Sequence, residues 1–322
     1  MRLIPWLAAL ATAAAPWVAQ ATPFPERDKT LKIVVPFAAG GGVDAAARLL
    51  GTQLQKQLGV TVVVENKAGG SGTIGGRAVQ TAPADGYTVL FSAATHVLAK
   101  QVLAQPPYDP QTDFAPVART GNAPLMLVVA PSKPQTKLAD VVSAMKQQPD
   151  KWTAGIPAAG APSHLATLML ARQAQVRFAT VPYKGTQPAL MDVAGGHTDM
   201  LLDSMISLLP MARAGKVRPI AITSGRRSGV APDVPTFKES GLPDFSYDSW
   251  YGVWAPKGTP PDRVAALNAA VNAATTELAK SGALAGLGIE PVTESVEQFR
   301  RYIATEVTEG AQLLKAAGFK PD

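Results

Sequence analysis

The chain contains no cysteine in 322 residues. Disulfides are therefore excluded, and stability must come from a large packed core. Histidine is nearly as scarce. His96, His164 and His197 are far apart and fall in no metal-ligand spacing, so no metal site is expected. Aromatic residues are only 6% of the chain, too few for stacking platforms that bind single-stranded nucleic acid. The formal net charge is +6, but no basic run exceeds a pair such as Arg226-Arg227. Without a basic stripe this charge argues for small anions rather than nucleic acid. Beyond the first 21 residues no segment reaches about 18 uninterrupted apolar residues, so no membrane span is expected. Also missing are the G-x-S-x-G elbow, the P-loop and H-E-x-x-H, so no enzymatic signature is present.

What the N-terminus does carry is an export signal. Arg2 precedes an apolar stretch from Leu3 to Val18, and Ala19-Gln20-Ala21 supplies a small-x-small cleavage pattern. Residues 1–21 are read as a signal peptide, with the mature chain starting near Thr22 and functioning in the periplasm. A single arginine rules out a twin-arginine signal, and the lack of cysteine rules out a lipid anchor. The remaining length suits two domains.

Downstream, the pattern alternates strand and helix. Leu31–Val35 and Val60–Val64 are apolar strands, with a helix between them marked by Leu50, Leu54 and Leu58 and closed by Gly59. A glycine-rich loop, Asn66 to Gly76, leads to a helix near Arg77–Thr81, and Thr88–Ser92 is the third strand. This reads as the opening of a parallel α/β sheet. Further strands are expected at Leu125–Ala130, Trp152–Ile156, Phe178–Pro182, Met200–Asp203, Val217–Thr223 and Trp250–Ala255. Pro260-Pro261 opens a long helix, and a last helix runs from about Thr293 to Ala316.

Candidate site residues cluster at strand ends, where open α/β sheets bind ligands. Gly40-Gly41-Gly42 opens a helix and formally satisfies G-x-G-x-x-G/A. Asp44 would set a negative charge beside any pyrophosphate, so backbone N–H groups cradling one carboxylate is the better reading. Ser163 and His164 start a second helix after the small-residue loop that includes Gly160. Ser163 reads as a cap or a ligand hydroxyl, and His164 as a packed ring or a ligand contact. Thr95 and His96 follow the third strand. Asp203 ends a strand either as a helix cap or as an acceptor for a ligand donor, and Tyr183 supplies a further donor.

The order of short motifs resembles the extracytoplasmic substrate-binding receptors of tripartite tricarboxylate transporters, the Bug family. It runs from Ile33-Val34-Val35-Pro36-Phe37 with its glycines, Asp44 and Arg48, through Val63-Val64-Glu65-Asn66 and Asp85-Gly86-Tyr87-Thr88. Pro107-Tyr108-Asp109-Pro110, Ser163-His164-Leu165-Ala166, Val181-Pro182-Tyr183-Lys184-Gly185 and Pro232-Asp233-Val234-Pro235-Thr236 follow. The resemblance implies a two-domain, type II-like periplasmic-binding fold, with 22–121 and 247–322 forming one domain and 122–246 the other. A small organic carboxylate would sit in the cleft between them. Phe37, Ala38, Gly40, Gly41, Thr95 and His96 would line one wall; Gly160, Ser163, His164, Tyr183 and Asp203 would line the other. No cofactor and no catalysis are implied, and a monomer working with membrane transporter subunits is expected. Two alternatives remain open: an exported hydrolase using Ser163 and His164, and a sensor feeding a signalling partner. Ala39, Ala99-Lys100 and Leu168 depart from the family pattern towards apolar residues, which implies a ligand larger or more apolar than a simple dicarboxylate.

Overall fold

A computed structural model describes residues 24–321. The signal peptide expected at 1–21 lies outside the described residues. The chain opens with β1 (Thr30–Val35), α1 (Gly42–Leu58), β2 (Thr61–Asn66), α2 (Thr73–Gln80) and β3 (Thr88–Ser92). Two short helices follow, α3 (Ala94–Val97) and α4 (Ala99–Val102). The long strand β4 (Phe114–Val129) leads into α5 (Leu138–Gln147), β5 (Thr153–Ile156), α6 (Pro162–Ala174) and β6 (Ala179–Pro182). Next come α7 (Thr186–Ala194), β7 (Met200–Ser204), α8 (Met205–Arg213) and β8 (Arg218–Ile222). The chain returns through β9 (Asp248–Pro256), α9 (Pro261–Lys280), α10 (Ala283–Gly286), β10 (Glu290–Pro291) and α11 (Val296–Ala316).

Strand composition explains the layering. In β1, Leu31, Ile33 and Val35 pack against α1 and α9, while Val34 faces the opposite side with Val79, Leu90 and Trp254. Helices cover both faces, which is why this strand is apolar with little alternation. Helix α1 buries Leu50 and Leu54 and ends where Gly59 adopts φ 66° and donates to the Gln55 carbonyl. Only glycine enters that left-handed conformation without strain.

The sheet order is β2-β1-β3-β9-β4-β7-β5-β6, with β8 and β10 also paired to β4. β1, β2 and β3 are parallel, as expected, but β9 runs antiparallel to both β3 and β4. The sheet is therefore mixed rather than parallel throughout. The strand expected at Leu125–Ala130 is the second half of β4. Its first half, Phe114–Pro124, pairs with β9, and its second, Leu125–Val129, pairs with β7 and β8. One strand thus links two layered α/β units, each with its own apolar clusters.

The helix expected near Arg77 begins earlier, at Thr73. Gly75 and Gly76 look like loop residues in the sequence, yet they lie in the helix, at positions where close neighbours leave no room for a Cβ. A Cβ on Gly75 would sit 2.7 Å from Pro36 Cα, and one on Gly76 would sit 2.1 Å from the Tyr108 hydroxyl. Among the described residues, no helix is long and apolar enough to cross a membrane.

Candidate functional site

A small cavity lies where the two units face each other. Phe37, Gly41, Gly42, Val43, Ala93, Thr95, Ser249 and Tyr251 line it from the first unit. Pro157, Ala161, Pro162, Ser163, Gly185, Thr186, Asp203 and Ser204 line it from the second. Its volume is about 40 Å³, room for a few waters or one compact polar group.

Helix starts dominate this lining. Gly41, Ala161, Gly185 and Ser204 are the N-caps of α1, α6, α7 and α8, and none makes a side-chain cap. The first-turn N–H groups of a helix have no partner within the helix, and its dipole places partial positive charge there. Four such ends converge on a cavity lined by no lysine, arginine or histidine. An anion is what this arrangement can hold.

Side chains complete it. Thr95 Oγ1, Ser163 Oγ and Asp203 Oδ2 are buried and have no hydrogen-bond partner among the described residues. Buried polar groups are rarely left unpaired, so three of them at one cavity make it the candidate ligand position. Larger surface hollows lie elsewhere, the two most spacious of about 710 and 740 Å³. One holds a single unpaired group, the Tyr247 hydroxyl, and the other none. Burial raises the Asp203 carboxyl to about 6, although hydrogen bonds from Thr186 and the Ser204 N–H act the other way.

Hydrogen bonds close the two walls over the cavity. Gln187 Nε2 donates to the Gly40 carbonyl at 2.7 Å, and Ser207 Oγ donates to the same oxygen at 3.3 Å. The hydroxyls of Ser204 and Tyr251 meet at 3.3 Å.

Of the residues singled out in the sequence, Phe37, Gly41, Thr95, Ser163 and Asp203 come together at the cavity. The other six do not line it. Ala38 lies against Gly185, and Gly40 accepts the bonds from the opposite wall. His96 is seated among Phe114, Trp254 and Tyr108, where burial lowers it to about 3. Gly160 takes φ +69°, and its N–H donates to His164 Nδ1 at 3.1 Å. His164 therefore closes this turn and packs on Phe319. With Ser163 Oγ unpartnered, the two do not form a nucleophile–base pair. Tyr183 donates to Asp192 at 2.6 Å, away from the cavity. Asp203 does not cap α8; Ser204 occupies the cap position. Ala39, Ala99 and Leu168 also lie off the lining, so they do not set its polarity.

Sequence reasoning missed Tyr251 and Ser249. Both sit inside β9, with no loop or motif to announce them. Asp44, by contrast, sits in the first turn of α1 as a brace. Burial would raise its carboxyl, but Arg48, the Gly40 N–H and Asn66 hold it below its ordinary range.

Residues 46–319 match the sequence profile described as "Tripartite tricarboxylate transporter family receptor". The chain belongs to this family. It is 36% identical to protein BugT of Bordetella pertussis over 313 residues, covering 97% of this chain and 95% of that one. A protein from Pseudomonas sp. strain P51, encoded in the tcbD-tcbE intergenic region, is 38% identical over 83% of this chain and 79% of its own. Among solved structures, R. palustris Rpa4515 with adipate is 34% identical, covers 93% of this chain and 100% of its own, and superposes with a TM-score of 0.89. MatC from Rhodopseudomonas palustris, with bound malate, is 33% identical over 90% of this chain and 100% of its own, with a TM-score of 0.82. The periplasmic binding protein BugD is 35% identical over 93% of this chain and 100% of its own, at 0.86. Family members are substrate-binding receptors rather than enzymes, and the chain has their two-domain α/β fold.

Proposed function

We propose that this receptor captures a small organic carboxylate between its two domains in the periplasm and presents the closed form to membrane subunits of a transporter. The division expected near residues 121/122 and 246/247 is supported by β4, which exchanges its pairing with β9 for pairing with β7 and β8 between Pro124 and Leu125. The observation that carries this reading is the convergence of four uncapped helix starts and three unpartnered buried polar groups on a cavity without a cation. Backbone N–H groups grip the carboxylate. Thr95 and Ser163 add hydroxyls from opposite walls, so the full set of contacts exists only when the walls meet. Ligand therefore shifts the population towards closure. The adipate and malate bound to the two relatives support this ligand class.

The test is a thermal-shift screen of aliphatic mono- and dicarboxylates on protein stripped of ligand by unfolding and refolding. A ligand at 100 times its dissociation constant should stabilise by about 2.7 kcal/mol, a shift of several degrees. Ser163→Ala should reduce that shift. If no carboxylate shifts a well-folded protein, the reading is wrong.

A further inference from the structure

The cavity that receives an anion already contains a carboxyl group. Asp203 is the penultimate residue of β7 and is 7% exposed, and its Oδ2 has no partner among the described residues. No positive side chain from any surrounding element meets it. From β9 comes Tyr251, whose hydroxyl is pushed up to about 12 by burial and by Asp203 itself. Helix α1 carries Asp44, whose carboxylate is engaged by Arg48, Asn66 and the Gly40 N–H. Of the histidines nearby, His96 on α3 is packed among aromatic rings, where burial lowers it to about 3 and its Nε2 has no partner among the described residues, and His164 on α6 accepts from the Gly160 N–H. β4 places Met126 beside Asp203, and α7 and α8 bring the neutral Thr186, Gln187 and Ser207.

A bound carboxylate would thus share about 40 Å³ with a second carboxyl group. Two carboxylates in one water-poor site do not both stay ionised. We propose that the receptor binds its carboxylate together with one proton, held on Asp203 Oδ2, which then donates a hydrogen bond to the ligand oxygen. The proton comes from solvent as the domains close and returns to it as they open, and no bond in the ligand changes. This inference rests on the carboxylate reading of the site. Burial already raises Asp203 to about 6 without ligand, so near-complete neutralisation at neutral pH requires a further shift of about two pH units. The pairing favours ligand groups that accept hydrogen bonds and selects against ammonium groups at this position.

Isothermal titration with adipate in buffers of different ionisation enthalpy, at pH 7, measures the protons taken up. Wild-type protein should take up about 0.8 proton per ligand, if Asp203 moves from about 6 to above 8 on binding. Its Kd should rise about fivefold or more from pH 7 to pH 8 and level off once the pH passes the bound-state value. In Asp203→Asn the amide donates as the protonated acid would, so uptake should vanish and the Kd should become flat with pH. Tight adipate binding with no proton uptake and a pH-independent Kd in the wild-type protein would overturn the proposal while leaving carboxylate capture intact. Failure of every carboxylate to bind would overturn both.

Discussion

Gly42 separates closure from folding. It opens α1, and a Cβ built on it would lie 2.2 Å from Ser204 Oγ, 2.6 Å from Ser204 Cβ and 2.9 Å from the Tyr251 hydroxyl. Ser204 belongs to the opposite wall of the cavity. Gly42→Ala therefore forces its closest overlap, on Ser204, where the two domains meet, and crowds only the Tyr251 hydroxyl within its own domain. Overpacking of this kind costs about 1–3 kcal/mol, which converts to roughly 5- to 150-fold weaker ligand binding. The measurement is titration calorimetry with the best ligand of the carboxylate screen, paired with thermal unfolding of the ligand-free protein. Ligand-free stability should fall by less than in a variant crowded wholly inside one domain, since parting of the domains relieves the overlap with Ser204 and leaves only the approach to the Tyr251 hydroxyl. Gly76→Ala is the contrasting variant. Its Cβ would meet Tyr108 at 2.1 Å inside one domain, so it should lower stability with or without ligand. Wild-type affinity in Gly42→Ala, within about a factor of two, would refute the idea that ligand is held in this closed packing.

Three further outcomes follow from the same geometry. Gln187→Ala removes the 2.7 Å bond to the Gly40 carbonyl across the cleft; it should weaken binding by about 2- to 12-fold, for a net hydrogen bond of about 0.5–1.5 kcal/mol, with ligand-free melting unchanged. Buried His96 sits at about 3, below the ordinary imidazole value of 6.5. Its contribution is thus present above 6.5 and is lost as pH falls towards 3, by up to about 1.4 kcal/mol per pH unit; denaturant melts from pH 7 to 4 should show this slope, and His96→Phe should flatten it. Arg119 pairs in bidentate fashion with Glu294 at 3.2 Å and lies 3.6 Å over the Tyr302 ring, with both charged side chains largely buried. Arg119→Met strands the Glu294 carboxylate and should cost about 3–5 kcal/mol in urea unfolding.

Much of the strand and helix order was legible because period and punctuation agree along most of the chain. Leu50 and Leu54 mark a helix face that Gly59 ends, and Pro260-Pro261 opens α9, whose first residue is Pro261. The first half of β4 was not legible, since Pro116, Gly121 and Pro124 read as strand breakers. In the structure the register of β4 on β9 shifts between Pro116 and Ala118 and again between Arg119 and Gly121. Such bulges absorb residues that a regular ladder would reject. At the cavity, strand-end reasoning reached Phe37, Gly41, Thr95, Ser163 and Asp203. Residue chemistry alone misplaced His96, His164 and Tyr183, because a polar ring near a strand end can equally pack into a core or brace a turn.

By itself the sequence determined the α/β class, the family and several of the strand ends that line the cavity, because these rest on local periodicity and on short motifs in fixed order. Only the tertiary structure decided which of those ends face one another. β4 and β9 carry the chain between two units, and that path brings Tyr251 and Ser249 opposite Asp203 and Ser204. No spacing in the sequence encodes a meeting between residues nearly fifty positions apart. It also turned four helix starts towards one small space with an unpaired carboxyl among them, and that convergence is a property of packing.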